Sequence, residues 1–334
     1  MERNRLADRL KGYACFLVLF GHVILGMRNS GVEMPSLFYW LEPFIWSYHV
    51  ALFLFLSGAV YRITGGWKSK KTKGGFIRHK AISLGVPYLI FSVVYIGINS
   101  IVGQANTQSS IWDILYLWKT PVAQYWYLYA LFFLFAIWVV RSDMLKNWQI
   151  TVFVVLAAYL APVFGISYGC FDVVMFSALA FGLGTCVPIS VEEKIPVVLK
   201  LVIVLLHIAA GVILYRMNRM EAPVFKELFM VLGIFASVML ISVLQNLGFV
   251  ARFLDFMNRY SFQTYLLHTI FTAGFRIVLL RLGITQWVIH LLVGCVTGLG
   301  FSVLIAVVAK KIPILDACFF PTKWIAERKK RKTI

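Results

Sequence analysis

Apolar residues in this chain come in long runs separated by short basic or polar stretches, and the runs recur from end to end. A helix needs about 20 predominantly apolar residues to cross the hydrocarbon of a bilayer. Runs that meet this need lie at roughly 10–28, 36–61, 81–102, 122–140, 149–165, 171–189, 197–216, 226–246, 262–280 and 286–309. The expected fold class is therefore all-α, a polytopic membrane bundle of about ten transmembrane helices. No internal repeat, low-complexity tract or polar domain interrupts the runs, so residues 1–334 read as one membrane-embedded domain. The first run follows Arg3, Arg5 and Arg9 without a small-residue cleavage site, and reads as a retained span rather than a signal peptide.

Composition agrees: 60% of the 334 residues are hydrophobic and only 14% are charged, against about 25% charged in soluble domains. The net charge of +18 raises the question of a nucleic-acid partner, and its distribution answers it. With the N-terminus inside, 25 Lys and Arg fall on the inner side and 7 at the outer ends, the asymmetry of the positive-inside rule. The charge is read as topology. The expectation is a multi-pass protein of the cytoplasmic membrane, both termini cytoplasmic, with the lipid bilayer and no nucleic acid as partner. The outer loop at about 103–121 is polar over Gln104–Ser110 and amphipathic over Ile111–Trp118, which is expected to lie along the outer interface. The stretch Ile312–Ile325 is apolar but broken by Pro313 and Pro321, and is expected at the inner surface. The five cysteines are scattered and none has a Cys-x-x-Cys partner, so neither a disulfide framework nor a metal site is expected.

Ionisable residues inside apolar spans are costly, which makes each a functional candidate. Lys11 and His22 are eleven residues apart, and on a helix they return to within about 20° of one face. Glu42 and His49 are seven apart and share a face to within about 20°. Since the first two spans run antiparallel, His22 and His49 are expected to meet near the midplane. The structural alternatives stay open. A lone histidine can hydrogen-bond a neighbouring helix, Lys11 can mark the inner boundary, and Glu42 can be half solvated. Asp8 reads as the N-cap of the first span and Asp172 as a cap. Cys15 reads as a small filler. His207, His268 and His290 fall in later spans without an acidic neighbour in register and read as structural.

The string Asp8-Arg9-Leu10-Lys11-Gly12-Tyr13-Ala14 leading to Leu19-Phe20-Gly21-His22 resembles the opening of the acyltransferase-3 family of membrane O-acyltransferases, a basic residue, ten others, then His. Lys11 in the basic position is similar to the branch of fucose 4-O-acetylases and related polysaccharide acetyltransferases. Tyr48-His49-Val50-Ala51-Leu52-Phe53-Leu54-Phe55-Leu56-Ser57-Gly58 resembles that branch's His-x-Pro-Leu-Phe-Phe-Phe-x-Ser-Gly, with Val50-Ala51 where Met-Pro is common, a departure expected to straighten the second helix. Arg78 through Pro87-Tyr88, Trp126-Tyr127-Leu128 and Ser261 through Tyr265-Leu266-Leu267-His268 are weaker matches in the same order.

The resemblance implies transfer of an acyl group, usually acetyl, from acetyl-CoA or another acyl-CoA to a hydroxyl of an envelope polysaccharide or its lipid-linked precursor. Acyl-CoA is then a co-substrate and no tightly bound cofactor is expected. His22 is the expected base, with His49 or Glu42 orienting it or meeting the acceptor. Lys11, Arg78 and Lys80 are placed to meet the donor's phosphates, and Trp126 and His268 to meet the acceptor. The alternative is a transporter or flippase for a glycan intermediate, since intramembrane His and Glu also serve proton coupling, although no inverted repeat is visible. A non-catalytic partner in a synthase complex also stays open.

Overall fold

The computed structural model describes residues 4–70, 72–102 and 110–331, and among them the chain is helical without a strand. The helices are α1 Arg5–Asn29, α2 Ser36–Trp46, α3 His49–Ile63, α4 Lys73–Lys80, α5 Val86–Val102, α6 Trp126–Arg141, α7 Asn147–Leu160 and α8 Asp172–Cys186. They continue with α9 Val197–Arg216, α10 Phe225–Leu244, α11 Gly248–Arg259, α12 Ser261–Arg281, α13 Trp287–Ala309, α14 Pro313–Phe319 and α15 Pro321–Arg331. Each expected span is helical. Among the described residues, eight helical stretches are long and apolar enough to cross a membrane. Of the others, α7 has only 14 residues before it tightens into a 3-10 turn. The 21-residue α12 carries Gln263, His268 and Arg276, which lower its hydropathy.

Local chemistry shifts several boundaries. The first helix starts earlier than expected, and its N-cap is Asn4 rather than Asp8: the Asn4 side chain accepts from the Ala7 N–H at 3.0 Å. Asp8 lies in the first turn instead, where a carboxylate still complements the helix dipole. The expected second span is not one straight helix. Pro43 stands inside α2, and the helix breaks at Ser47–Tyr48 before restarting at His49. A proline supplies no N–H and crowds the preceding turn; the break lies one turn beyond Pro43, after the Ser47 N–H has bonded the Pro43 carbonyl at 3.1 Å. The third run is continuous with α4 through a π-helical turn at Ala81–Gly85, a widening that accommodates Pro87 just beyond it.

Central in the bundle, α1 packs against α2, α3, α10, α11, α12 and α13. Between helices in lipid there is no hydrophobic drive, so association depends on close backbone approach at small residues. Gly12 lies on the Leu254 carbonyl of α11. Gly58 of α3 lies on the Phe181 carbonyl of α8, and Gly184 of α8 on the Phe55 carbonyl of α3. Apolar side chains of α9 such as Val198, Leu205 and Ile213 are exposed, as a lipid-facing helix requires.

Ile111–Tyr116 forms a 3-10 helix that exposes Ile111, Trp112, Leu115 and Tyr116 and keeps Leu117 buried. This is the amphipathic layout expected of an interfacial segment; residues 103–109 of that loop lie outside the described ones. The apolar stretch after Ile312 does not merely line a surface. Phe319 packs on Phe91 of α5 with ring centroids 5.0 Å apart, and Phe320 on Phe262 of α12 at 5.8 Å.

Candidate active site

A cavity of about 840 Å³ lies among α1, α3, α5, α6, α8, α10 and α12. His22 and His49 both line it, and Trp46, the last residue of α2, comes between them. The His22 ring stacks on the Trp46 indole at 5.1 Å and 15° between planes, and the indole meets His49 edge-on at 5.0 Å. A Cβ at Gly21 would stand 3.2 Å from Ile45 Cγ2, a tight fit, and 3.7 Å from Trp46 Nε1, an ordinary contact. Trp46 and His49 thus meet across the break at Ser47–Tyr48.

His268 completes the cluster from α12, its ring centroid 4.8 Å from that of His22. This contact joins residues 246 positions apart, and a reading of His268 as a separate structural histidine does not account for it. The α12 backbone is pinned at this level. Tyr125 Oη donates to the Leu266 carbonyl at 2.8 Å, Gln124 Nε2 to Thr269 Oγ1 at 2.7 Å, and Tyr265 Oη to the Gln124 carbonyl.

Backbone partners settle the tautomers of two rings. His49 Nδ1 lies 2.9 Å from the Ile45 carbonyl, and His268 Nδ1 lies 2.7 Å from the Thr264 carbonyl and 3.1 Å from that of Tyr265. A carbonyl only accepts, so Nδ1 carries the proton and Nε2 of each neutral ring carries the lone pair. Both Nε2 atoms are buried without a hydrogen-bond partner among the described residues, as are His22 Nδ1 and Trp46 Nε1. Buried polar atoms left unpaired are costly and rare. Four in one cluster mark a place shaped to hydrogen-bond a bound group. Among the described residues no group of three or more His, Cys, Asp or Glu is arranged to hold a metal ion.

The other expected residues scatter. Glu42 is buried but ion-paired to Arg28 of α1. The α2–α3 break removes the shared face that an unbroken helix would have given it with His49. Lys11 is exposed on α1, about 16 Å along the axis from His22. Arg78 and Lys80 do not come together. Arg78 is exposed, whereas the Lys80 ammonium sits 3.9 Å from the Phe135 ring centroid and 5.4 Å from that of Phe76. Trp126 lines the cavity at the start of α6. His207 is enclosed by Phe44, Tyr48 and Phe229, and His290 Nε2 lies 2.8 Å from the Ile284 carbonyl. Asp172 is not the N-cap but the first residue of α8, its carboxylate accepting from the Tyr168 N–H at 2.8 Å and from Ser167 Oγ at 2.9 Å in the preceding loop, and the Cys15 thiol is buried, 3.8 Å from the Ser261 carbonyl.

Fold and site together define a class: a membrane-embedded helical bundle with His22 and His49 on the wall of a cavity and His268 packed against His22. A family model described as an acyltransferase domain matches residues 6–307, and the chain belongs to this acyltransferase-3 family. No curated protein and no solved structure matches it. Its activity class is membrane acyltransferase.

Proposed function

We propose that the chain transfers an acyl group, in the first instance acetyl, from acyl-CoA to a hydroxyl of an envelope polysaccharide or its lipid-linked precursor. The observation that carries this reading is the pair His22 and His49, each with an unpaired ring nitrogen, on the wall of a cavity of about 840 Å³, within the 300–1,000 Å³ usual for small-ligand sites. A thioester is already activated, so the chemistry needs a base for the hydroxyl and a donor for the developing oxyanion. Of the two His22 nitrogens Nδ1 is the buried one, leaving Nε2 to the cavity. His22 accepts the hydroxyl proton as the sugar oxygen bonds to the thioester carbon. The carbon–sulfur bond then breaks, and the thiolate takes that proton back from the imidazolium. Trp46 Nε1–H is the donor at hand for the oxyanion. His49, which lines the same cavity, carries an Nε2 lone pair that suits a hydrogen bond from an acceptor hydroxyl, and His268 stands against the His22 ring off the cavity wall.

The test is labelled acetyl-CoA with purified protein and glycan acceptors. Labelled ester and free coenzyme A are expected, and glycan movement across vesicles without turnover would favour a transporter instead. In the same assay Arg78→Gln is expected to raise the apparent Michaelis constant for the donor with little change in turnover. An unchanged constant would leave Arg78 as a topology signal. Lys80, held on Phe135, is the less available of the two basic residues, and Lys11 stands at the same end of α1 as the N-terminal basic residues.

We place the N-terminus, residues 62–80 and the tail after Lys310 in the cytoplasm, on the asymmetry of basic residues. In a background without native cysteines, a cysteine at Lys70 is expected to resist an impermeant thiol reagent in intact cells while one at Arg219 reacts. Reaction at position 70 from outside would overturn the orientation.

A further inference from the structure

Among the cavity-lining residues only Arg276 and Lys226 carry a full charge, and no Asp or Glu joins them. Lys226 is already paired with Glu221 at 2.6 Å, and Arg28 nearby with Glu42. Arg276 has no carboxylate partner among the described residues. It is half-buried in α12, and its guanidinium lies over Gly26 of α1, where any Cβ would collide with Nη1. The missing side chain at Gly26 is what admits the arginine. Asn99 of α5 lines the same cavity, and its Nδ2 is buried without a hydrogen-bond partner. Two donor groups, one of them permanently charged, thus face one cavity with no acceptor assigned to them.

We propose that Arg276 and Asn99 form an anion subsite that holds a carboxylate or phosphate carried by the acceptor, an inference that rests on the acyl-transfer reading above. A cation away from bulk water is costly unless an opposite charge meets it, and here the bound ligand supplies that charge. The planar guanidinium fork matches a carboxylate or phosphate with paired hydrogen bonds, and the Asn99 amide adds a third donor. Arg276 stands eight residues beyond His268 on α12, about 12 Å along the axis. A bound acceptor therefore reaches from the histidine cluster, where its hydroxyl reacts, to an anionic group a sugar unit or two away. An acidic sugar and a glycan on a phosphate-bearing lipid both fit that description. A neutral free glycan does not.

The experiment measures binding, without turnover, on the full-length protein in nanodiscs. The probes are a disaccharide containing glucuronic acid, its carboxyl-reduced counterpart, a glycosyl phosphate and coenzyme A. At least one anionic sugar is expected to bind about tenfold more tightly than the neutral one; the tighter of the two anionic probes identifies the source as acidic sugar or phosphate carrier. Arg276→Gln is expected to erase the preference and Arg276→Lys to keep part of it. Asn99→Asp, which preserves volume and puts a competing carboxylate into the same cavity, is expected to erase it too, and guards against a mere folding defect in Arg276→Gln. Equal binding of neutral and anionic sugars by the unmodified protein would overturn the proposal, as would an undiminished preference in both Arg276→Gln and Asn99→Asp. So would a loss confined to coenzyme A, which would assign Arg276 to the donor. A preference lost on mutation in a protein that never turns over acetyl-CoA would keep the subsite and remove the acyl-transfer reading.

Discussion

His22→Gln is expected to abolish acyl transfer in a protein that still inserts and purifies normally. Glutamine keeps similar bulk and hydrogen-bonding capacity but offers no usable base, and losing a general base costs about 10²–10⁴-fold in rate. The competing account is loss of packing, because the imidazole also stacks on Trp46 and lies against His268. An aromatic contact is worth about 0.5–1.5 kcal/mol, near tenfold at most if all of it appeared in the rate. The two effects therefore separate by size. His22→Phe separates them by kind as well, since it keeps a ring on the indole and removes the nitrogen; it is expected to be as inactive as His22→Gln. His49 sits one indole away, so the double variant His22→Ala/His49→Ala is expected to be little worse than His22→Ala alone, as residues acting in one unit are not additive. Substantial turnover by well-folded His22→Gln would falsify the base assignment, and strictly multiplicative losses would separate His49 from it.

The helices were legible because an apolar run long enough to span a bilayer has no other stable conformation there. Even α12, weakened by Gln263, His268 and Arg276, keeps enough Leu, Ile and Phe to be read. The pairing of His22 with His49 was half legible: antiparallel neighbours meet by necessity, but the intervening Trp46 depends on a helix break. That break, one turn beyond Pro43, is concealed by an apolar pattern continuous across it. Glu42 was misplaced for the same reason, since a register argument holds only along an unbroken helix. Lys80 could have been parted from Arg78 by spacing alone, because residues two apart on a helix point about 200° from each other. Its aromatic partner Phe76, four residues back, was also visible. What spacing could not supply was the contact of His22 with His268. Nothing in the hydrophobic pattern says which non-adjacent helices touch, and only the Tyr265–His268 block pointed there. Arg276 reads in the sequence only as one of the seven cations at the outer ends, since the Gly26 notch that receives it lies on another helix.

Gly58→Ala and Gly184→Ala are each expected to destabilise the protein by about 1–3 kcal/mol or more, the usual cost of overpacking. A β-carbon at Gly58 would fall on the Phe181 carbonyl, and one at Gly184 on the Phe55 carbonyl. Side chains can rotate away from such an overlap, but a carbonyl inside a helix cannot move without parting α3 from α8. Both helices also wall the cavity, through Val50, Ala51 and Leu54 on one side and Phe176, Ser177 and Ala180 on the other. Activity is therefore expected to fall together with stability. Gly300→Ala in α13 is the matched control: nothing lies within 4 Å of a β-carbon there, and alanine in a helix interior is favoured over glycine by roughly 0.5–1 kcal/mol. The measurement is the fraction of monodisperse protein surviving a graded heat step, read by size-exclusion chromatography. A lowered midpoint for Gly58→Ala and Gly184→Ala beside an unchanged or raised one for Gly300→Ala would place the effect at the α3–α8 seam. Equal midpoints for all three would mean that the seam yields, and that backbone contact between these helices does not hold the bundle together.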